Sequence, residues 1–174
     1  QCVDATTRGI PRGLEVHDLW AARVPAQKGV GIVHGDYRLD NCMMSSEGDV
    51  AAVLDWELCT LGDVLADVAG MIAYGDPRTT GGTPPPTTVE GFPDTDEVRE
   101  MYASHSTRDL VDLDFYVAFA CWRMACIVEG VYTRYAAGVM GDQDDPRLVE
   151  VFGQRVGDLA DLAHETISKL PKVR

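Results

Sequence analysis

The chain has 174 residues, of which 45% are hydrophobic and 25% charged, and this composition is typical of one globular domain with a substantial core. Its formal net charge of −13 disfavours a nucleic-acid surface and a polybasic membrane contact, so we expect neither partner. The five cysteines show no disulfide spacing, no apolar run approaches the roughly 20 residues of a membrane helix, and no apolar signal segment is found. We therefore expect buried, reduced thiols and a cytoplasmic location.

Short elements are predicted for the first third of the chain. Apolar residues at helical spacing indicate an amphipathic helix over residues 13–22. Residues 31–33 are apolar and predict a strand that ends at His34. Two further apolar runs, 41–44 and 50–54, flank a Ser-Ser-Glu-Gly-Asp turn, and this pattern predicts a β-hairpin.

The rest of the chain is predicted to be helical, with one long loop. Residues 76–93 are rich in Gly, Pro and Thr, and three consecutive prolines exclude helix and favour an extended loop. Helices are predicted over residues 63–73 with Asp63 as N-cap, 94–104, 113–137 and 147–170. The first half of the helix over 113–137 is nearly all apolar, so we expect it at the centre of the fold. The predicted fold class is α+β, mostly helical, as a single domain over residues 1–174.

Three polar residues lie around the predicted hairpin at a spacing that suits phosphoryl transfer. Asp36 follows His34 and a glycine, Asn41 comes five residues after Asp36, and Asp55 follows the second hairpin strand. Phosphoryl transfer needs a carboxylate that takes the acceptor's proton, and amide or carboxylate oxygens that hold Mg²⁺. The hairpin is expected to bring Asn41 and Asp55 to the same end. Any one of these residues alone is more simply explained as a turn or cap residue, so the interpretation depends on the set.

Two motifs, HGDYRLDN at 34–41 and VLDWELCTLGDVLADVA at 53–69, resemble the aminoglycoside phosphotransferase/choline kinase-like superfamily. Residues 101–135 resemble the long helical part of one branch, the kinase-like domains associated with acyl-CoA dehydrogenases. The resemblance runs from about Gly29 to Leu170. It implies the C-terminal lobe of a protein-kinase-like fold, in which a small β-hairpin carries the catalytic loop and the metal ligands. It also implies Mg²⁺-dependent transfer of the γ-phosphoryl group of ATP or GTP to a hydroxyl of a small-molecule acceptor, such as a hydroxyacyl-CoA or an aminoglycoside-like alcohol.

The resemblance also implies a role for individual residues. By position in the family motif, Asp36 is the catalytic base, and Asn41 and Asp55 bind the nucleotide through Mg²⁺. Glu57 matches the second acid of a choline-kinase-type D-x-E and is implied to reach the metal. Arg38 stands where protein kinases have a lysine that contacts the γ-phosphate, and the alternative is an exposed or structural arginine.

Other residues are expected to support this set. His34 and Asp63 are expected to brace the loop, and Gly62 and Asp67 to cap and pack the following helix. Core positions rather than acceptor contacts are expected for Trp122, Met124 and Tyr132. Surface or core positions without a metal are expected for His17, His105 and His164.

The family's smaller N-terminal lobe has no counterpart in this sequence. The chain contains no G-x-G-x-x-G, only Lys28 among the lysines precedes the catalytic loop, and the first residue is Gln. We therefore expect an N-terminal lobe of the same protein as a partner, and little ATP binding or turnover by this chain alone, because the phosphates lack their clamp. Three alternatives stay open: a homodimer, a catalytically silent pseudokinase that only binds, and a protein named for acyl-CoA dehydrogenases that has no flavin chemistry.

Overall fold

The computed structural model describes residues 13–80, 84–139 and 145–172. In these ranges five helices and four short strands follow one another: α1 (Gly13–Ala21), β1 (Gly31–Val33), β2 (Cys42–Met44), β3 (Val50–Val53), β4 (Thr60–Gly62), α2 (Leu65–Gly75), α3 (Thr95–His105), α4 (Leu113–Ala136) and α5 (Pro146–Ser168). Short 3₁₀ turns lie at Leu39–Asn41, Trp56–Leu58, Pro77–Thr79 and Pro86–Thr88.

The core lies where α4 packs between α2 and α5, and α1 covers one side of it. The central position predicted for α4 is confirmed, since its apolar side chains are buried along most of its length. The largest fully buried side chains of the core include Leu113, Leu159 and Val16. Met124 is buried in this core and Trp122 packs against it, in agreement with the prediction for these two residues.

Helix α4 is long and apolar enough to cross a membrane by length and composition alone. This corrects the expectation that no segment of the chain would meet that test. The core helices of soluble proteins pass the same test, and 56% of the apolar window of α4 is buried inside the fold. Burial against α2 and α5 accounts for the apolar sequence of α4.

The strands form two separate antiparallel pairs. Strands β2 and β3 form the predicted hairpin, with Cys42 opposite Val53. Strands β1 and β4 form the second pair, with Gly31 opposite Gly62. Strand β4 was not predicted, because Gly62 was expected to pack on the following helix. A Cβ atom on Gly31 would lie 2.5 Å from Cγ1 of Val64, so this close approach requires glycine.

Three helices begin within two residues of the predicted positions, beside acidic residues whose carboxylates accept backbone N–H groups of the first turn. The N-cap of α2 is Val64, which corrects the prediction of Asp63, although Asp63 accepts the N–H of Leu65 at 3.0 Å. Asp145 accepts the N–H of Arg147 at 2.9 Å. Asp94 forms a full capping box, in which its carboxylate and that of Glu97 exchange bonds with backbone N–H groups. The observed boundaries differ from the predicted ones by one or two residues, as is usual at helix ends.

The loop over residues 76–93 was predicted to be extended. Its described part instead contains two 3₁₀ turns, Pro77–Thr79 and Pro86–Thr88. Proline is compatible with the first position of such a turn because it has no N–H to be satisfied there. The hydroxyl of Thr79 donates to the carbonyl of Ala73 at 2.7 Å, and that of Thr87 donates to the carbonyl of Gly75 at 2.6 Å. These bonds tie the loop to the end of α2. Residues 81–83 and the start of the chain, where no signal segment was predicted, lie outside the described residues.

Candidate active site

The loop between β1 and β2 carries Asp36, and the ring of His34 holds this loop in place. His34 is buried, and its Nδ1 accepts the backbone N–H of Asp36 at 3.2 Å. The ring proton therefore lies on Nε2, which donates to the carbonyl of Leu54 at 2.8 Å. His34 thus connects the catalytic loop to the end of β3 and braces it, as the sequence predicts.

Two charged side chains from the helices fix the backbone at Gly35. The carboxylate of Asp67 accepts the N–H groups of His34 and Gly35, at 2.6 and 2.9 Å. Arg123 donates to the carbonyl of Gly35 at 2.7 Å. Gly35 has φ +86°, and a Cβ there would lie 2.8 Å from the carbonyl oxygen of Leu58. Asp67 therefore holds the catalytic loop, which corrects the expectation that it caps and packs its own helix.

The carboxylate of Asp36 is held on both of its oxygens. Asn41 donates from Nδ2 to Oδ2 at 3.1 Å, and the hydroxyl of Tyr74 donates to Oδ1 at 3.1 Å. The guanidinium of Arg38 lies 3.3 Å from Oδ2 and pairs with Asp40 at 3.1 Å. Arg38 thus stands beside the proposed catalytic base rather than free in solvent, and its guanidinium lies over the ring of Tyr74.

Asn41 and Asp55 lie at the same end of the hairpin, as the sequence predicts. The Nδ2 group of Asn41 donates to both the backbone carbonyl and the carboxylate of Asp36, which leaves its Oδ1 for another partner. The carbonyl of Asn41 accepts the N–H of Leu54 at 2.8 Å, so the residue before Asp55 is tied directly to Asn41. Asp55 is exposed and has left-handed backbone angles, φ 64° and ψ 54°, which turn the chain away from β3.

This donor set fits Mg²⁺, which prefers hard oxygen ligands and keeps several waters. Within the residues that the structure describes, no three His, Cys, Asp or Glu side chains come close enough together to form a metal cage. An ion held by Asn41 and Asp55 would complete its shell with phosphate oxygens and water. Glu57 is exposed on the next 3₁₀ turn, and its contact with a metal stays a prediction.

A cavity of about 720 Å³ opens beside the catalytic loop. Arg38 and Tyr74, which both contact Asp36, form part of its wall. The rest of the wall comes from α2, the proline-containing loop, α3 and α5, and includes Met71, Ile72, Pro84, Pro85, Phe92, Val98, Met101 and Tyr102. The volume is within the range of small-molecule sites, which extends to roughly 1,000 Å³.

Sequence analysis missed four residues around this site, namely Tyr74, His105, Arg123 and Arg155. Tyr74, His105 and Arg155 line the cavity, whereas His105 was predicted only to be a surface or core residue without a metal. Burial raises the pKa of the Tyr74 hydroxyl, and the negative charge of Asp36 raises it further. Burial lowers the pKa of the Arg155 guanidinium, whose Nε donates to a backbone carbonyl at 2.8 Å. No local sequence signal marks these residues, because each lies far along the chain from Asp36.

The remaining predictions concern residues away from Asp36. Trp122, Met124 and Tyr132 are not part of the cavity wall. The four cysteines in the described ranges are free thiols, as predicted, and Cys121 and Cys126 are buried. Cys59 is exposed, which corrects the expectation of buried thiols.

The mostly helical fold, with its small β-hairpin beside the loop of Asp36, is consistent with the C-terminal lobe of a kinase-like phosphotransferase. The sequence matches the phosphotransferase enzyme family over residues 4–101, and the chain belongs to this family. The family implies ATP as co-substrate, commonly with a divalent metal.

The crystal structure of a provisionally named aminoglycoside phosphotransferase from Ralstonia eutropha JMP134 has the same fold, with a TM-score of 0.76 and 31% identity. The match covers 95% of this chain and 51% of that one. The chain is also 35% identical over 172 residues to acyl-CoA dehydrogenase family member 10 of Mus musculus. It is 36% identical over 119 residues, 65% of its length, to acyl-CoA dehydrogenase family member 11 of Homo sapiens. It spans only 16% and 15% of these two relatives.

Proposed function

We propose that this chain is the catalytic and acceptor-binding lobe of an ATP-dependent kinase that phosphorylates the hydroxyl of an apolar small molecule of the hydroxyacyl-CoA type. The observation that carries the proposal is the cavity wall, where Arg38 and Tyr74 contact the Asp36 carboxylate and most other residues are apolar. An acceptor in this cavity has its hydroxyl close to Asp36. The intact set of Asp36, Asn41 and Asp55 disfavours a pseudokinase that only binds.

The charges of the cavity wall favour this acceptor over an aminoglycoside. A polycationic acceptor needs several carboxylates to replace the water around its ammonium groups. Asp40 is the single carboxylate among the described residues that line the cavity, and Arg38 already pairs with it. Arg155 adds a positive charge instead. The names of the relatives connect them with acyl-CoA substrates, which agrees with an apolar acyl chain in this cavity.

The proposed chemistry assigns one task to each residue of the catalytic set. Asp36 accepts the proton of the acceptor hydroxyl as that oxygen attacks the γ-phosphorus. Asn41 and Asp55 would hold Mg²⁺, with Glu57 close by, and the ion would neutralise charge on the phosphate oxygens. Arg38 would exchange its contact with Asp36 for one with the transferring phosphoryl group, because a guanidinium suits phosphate as well as carboxylate.

The test of the proposed function uses the full-length gene product. A medium-chain hydroxyacyl-CoA, the matching free hydroxy acid, an aminoglycoside and choline are offered with Mg·ATP, and phosphorylated product is measured by mass spectrometry. We expect phosphorylation of the hydroxyacyl compounds, and Asp36→Asn is expected to reduce it by roughly 10²- to 10⁴-fold. Asp49→Asn, in the exposed hairpin turn, is the control. Full activity of Asp36→Asn, or product from the cationic acceptors alone, would overturn the proposal.

The nucleotide part of the proposal is tested separately by calorimetric titration of Mg·ATP. Asp55→Ala is expected to weaken binding to the full-length gene product because it removes a metal ligand, while Asp49→Ala leaves binding unchanged. The 174-residue chain alone is expected to bind more weakly. Equal binding by the wild type and Asp55→Ala would remove Asp55 from the metal site.

We also propose that an N-terminal lobe of the same protein covers the outer face of the β1–β4 pair. This face exposes Ile32 and Leu61, at 67% and 73% of their surface, and Leu58 beside them. The chain covers 51% of one structural relative, and the rest of that relative is the motive for proposing a second lobe here. Charged substitutions at Ile32 and Leu61 are expected to impair activity of the full-length gene product. If these substitutions instead leave activity unchanged and dissociate a dimer in sedimentation experiments, a second copy of this chain covers the face.

A further inference from the structure

Tyr74 belongs to none of the motifs around the catalytic loop, yet it contacts the proposed base directly. It lies next to the last residue of α2, and its hydroxyl donates to Oδ1 of Asp36 at 3.1 Å. Its ring forms part of the cavity wall and lies beneath the guanidinium of Arg38, 5.4 Å from the ring centroid. Tyr74 therefore stands between the acceptor cavity and the carboxylate.

The hydroxyl of Tyr74 is a permanent donor at neutral pH. Burial raises its pKa above the ordinary value, and the charge of Asp36 raises it further. The opposite oxygen of Asp36 is occupied by Nδ2 of Asn41 at 3.1 Å. The carboxylate is thus held from both sides, and rotation about its terminal bond would break at least one hydrogen bond to a charged oxygen.

We propose that Tyr74 is a positioning residue that aims Oδ1 of Asp36 at the acceptor hydroxyl and keeps water from taking the acceptor's place. The inference rests on the proposed kinase function. Oδ1 has two lone-pair sites, and Tyr74 fills one of them. The second site is left for the proton of one nucleophile, and the apolar cavity admits an alcohol with an apolar body more readily than water.

The step that Tyr74 controls is the choice of nucleophile. In the productive reaction the acceptor O–H bond breaks and its proton passes to Oδ1 of Asp36. The acceptor oxygen bonds to the γ-phosphorus, and the bond from that phosphorus to the β,γ-bridging oxygen breaks, so its electron pair leaves with ADP. If a water molecule gives its proton to Oδ1 instead, the water oxygen bonds to the γ-phosphorus. The products are then ADP and inorganic phosphate, and no acceptor is phosphorylated.

Removal of the hydroxyl creates room for that water. In Tyr74→Phe the ring stays in place, but Oδ1 loses its donor. A half-buried carboxylate oxygen without a donor recruits water, because an unsatisfied polar group is costly. That water lies beside the base and within reach of the phosphoryl group. Tyr74→Phe is therefore expected to hydrolyse ATP faster than the wild type. If Tyr74 had only a structural role, the substitution would lower hydrolysis and phosphorylation together.

The experiment measures basal Mg·ATP hydrolysis by the full-length gene product without an acceptor, and then ADP and phosphorylated product with a medium-chain hydroxyacyl-CoA. Tyr74→Phe is expected to raise basal hydrolysis about tenfold, the effect of one hydrogen bond to a charged group. The ratio of ADP to phosphorylated product is expected to rise likewise. Tyr135→Phe is the matched control, since Tyr135 stacks on Phe152 away from the site.

The outcomes separate this inference from the proposed function. Basal hydrolysis that is unchanged or lower in Tyr74→Phe, with an unchanged product ratio, assigns Tyr74 a structural role and overturns the inference, while the kinase function stands. Basal hydrolysis and the ratio of ADP to phosphorylated product are each compared with the wild type, and ADP is measured in the same way in both. The folded fraction of each variant, measured by thermal unfolding, corrects the hydrolysis rates. A wild-type protein that neither binds nor consumes Mg·ATP would overturn both.

Discussion

The carboxylate of Asp67 accepts the backbone N–H of Gly35 over 2.9 Å, although the two residues are 32 positions apart in the chain. The other oxygen of the same carboxylate accepts the N–H of His34. One side chain of α2 thereby fixes two consecutive peptide groups directly before Asp36. This contact from α2 therefore holds the backbone that leads directly to the proposed base.

Asp67→Asn tests this dependence. An amide can accept only one of the two N–H groups, because its NH₂ group is a donor and faces the other. We expect the free energy of unfolding to fall by about 2 kcal/mol, the cost of losing one charge-assisted bond. Chemical denaturation measures it, and activity of the full-length gene product is expected to fall more than the fraction of folded protein. Equal stability of Asp67→Asn and the exposed control Asp49→Asn would contradict the expectation.

Gly35 and Gly48 form a matched pair for a backbone prediction. Both have positive φ, +86° and +91°, but a Cβ meets the carbonyl of Leu58 at 2.8 Å in the first case and open space in the second. Gly48→Ala is expected to cost about 1 kcal/mol, from the left-handed backbone alone. Gly35→Ala is expected to cost about 3 kcal/mol because the clash adds to it. Denaturant unfolding measures the free energy of unfolding of both variants. Equal decreases would show that the loop at Gly35 moves to accommodate the Cβ without cost.

Arg155 is expected to select the acceptor. Its guanidinium is half-buried in the cavity wall, is held by the carbonyl of Thr79 at 2.8 Å, and has no carboxylate partner among the described residues. Arg155→Gln is expected to lower kcat/KM by about 10- to 100-fold for a hydroxy acid, through loss of a charge-assisted bond, but only slightly for an uncharged long-chain alcohol. Arg147→Gln, which removes an exposed, paired arginine of α5, is the control. Equal losses for the acid and the alcohol would exclude a role in recognising charge.

Tyr116 is expected to make stability sensitive to alkaline pH. Burial raises the pKa of its hydroxyl from 10.0 to about 12, and the negative charge of Asp63 adds to the shift. Because the folded-state pKa lies above the unfolded one, the contribution is complete below pH 10 and is lost as the pH rises towards 12. Tyr116→Phe is therefore expected to show a smaller decrease in Tm across this window than the wild type. Parallel curves for Tyr116→Phe, the wild type and Tyr135→Phe would contradict this assignment.

Local patterns in the sequence were sufficient to predict much of the fold. The acidic residues Asp63, Asp94 and Asp145 mark helix starts because their signal lies within three residues of the boundary. The hairpin is similarly local, since its turn residues stand between two apolar runs. The spacing from Asp36 to Asn41 was sufficient to predict the candidate site, because both residues belong to one short loop.

The features that sequence analysis missed all depend on distant contacts. Strand β4 has three residues, and only pairing with β1 makes it a strand. Tyr74 reaches Asp36 across 38 residues, and Arg123 reaches Gly35 across 88. On a helix each of these side chains is an ordinary half-buried residue. Only the packing of α2 and α4 against the loop gives them a role at the site.

Helix α2 holds the catalytic loop through Asp67 near its start and the Asp36 carboxylate through Tyr74 near its end. The opposite wall of the cavity comes from α3 and the proline-containing loop, which have no bond to Asp36 among the described contacts. The reactive machinery and the shape of the acceptor space are therefore separable parts of the molecule. Replacements at Phe92, Val98 or Met101 can alter which alcohol fits while the base remains clamped. Such an arrangement lets one scaffold diversify its substrates through a single wall, and directed evolution of acceptor choice would begin there.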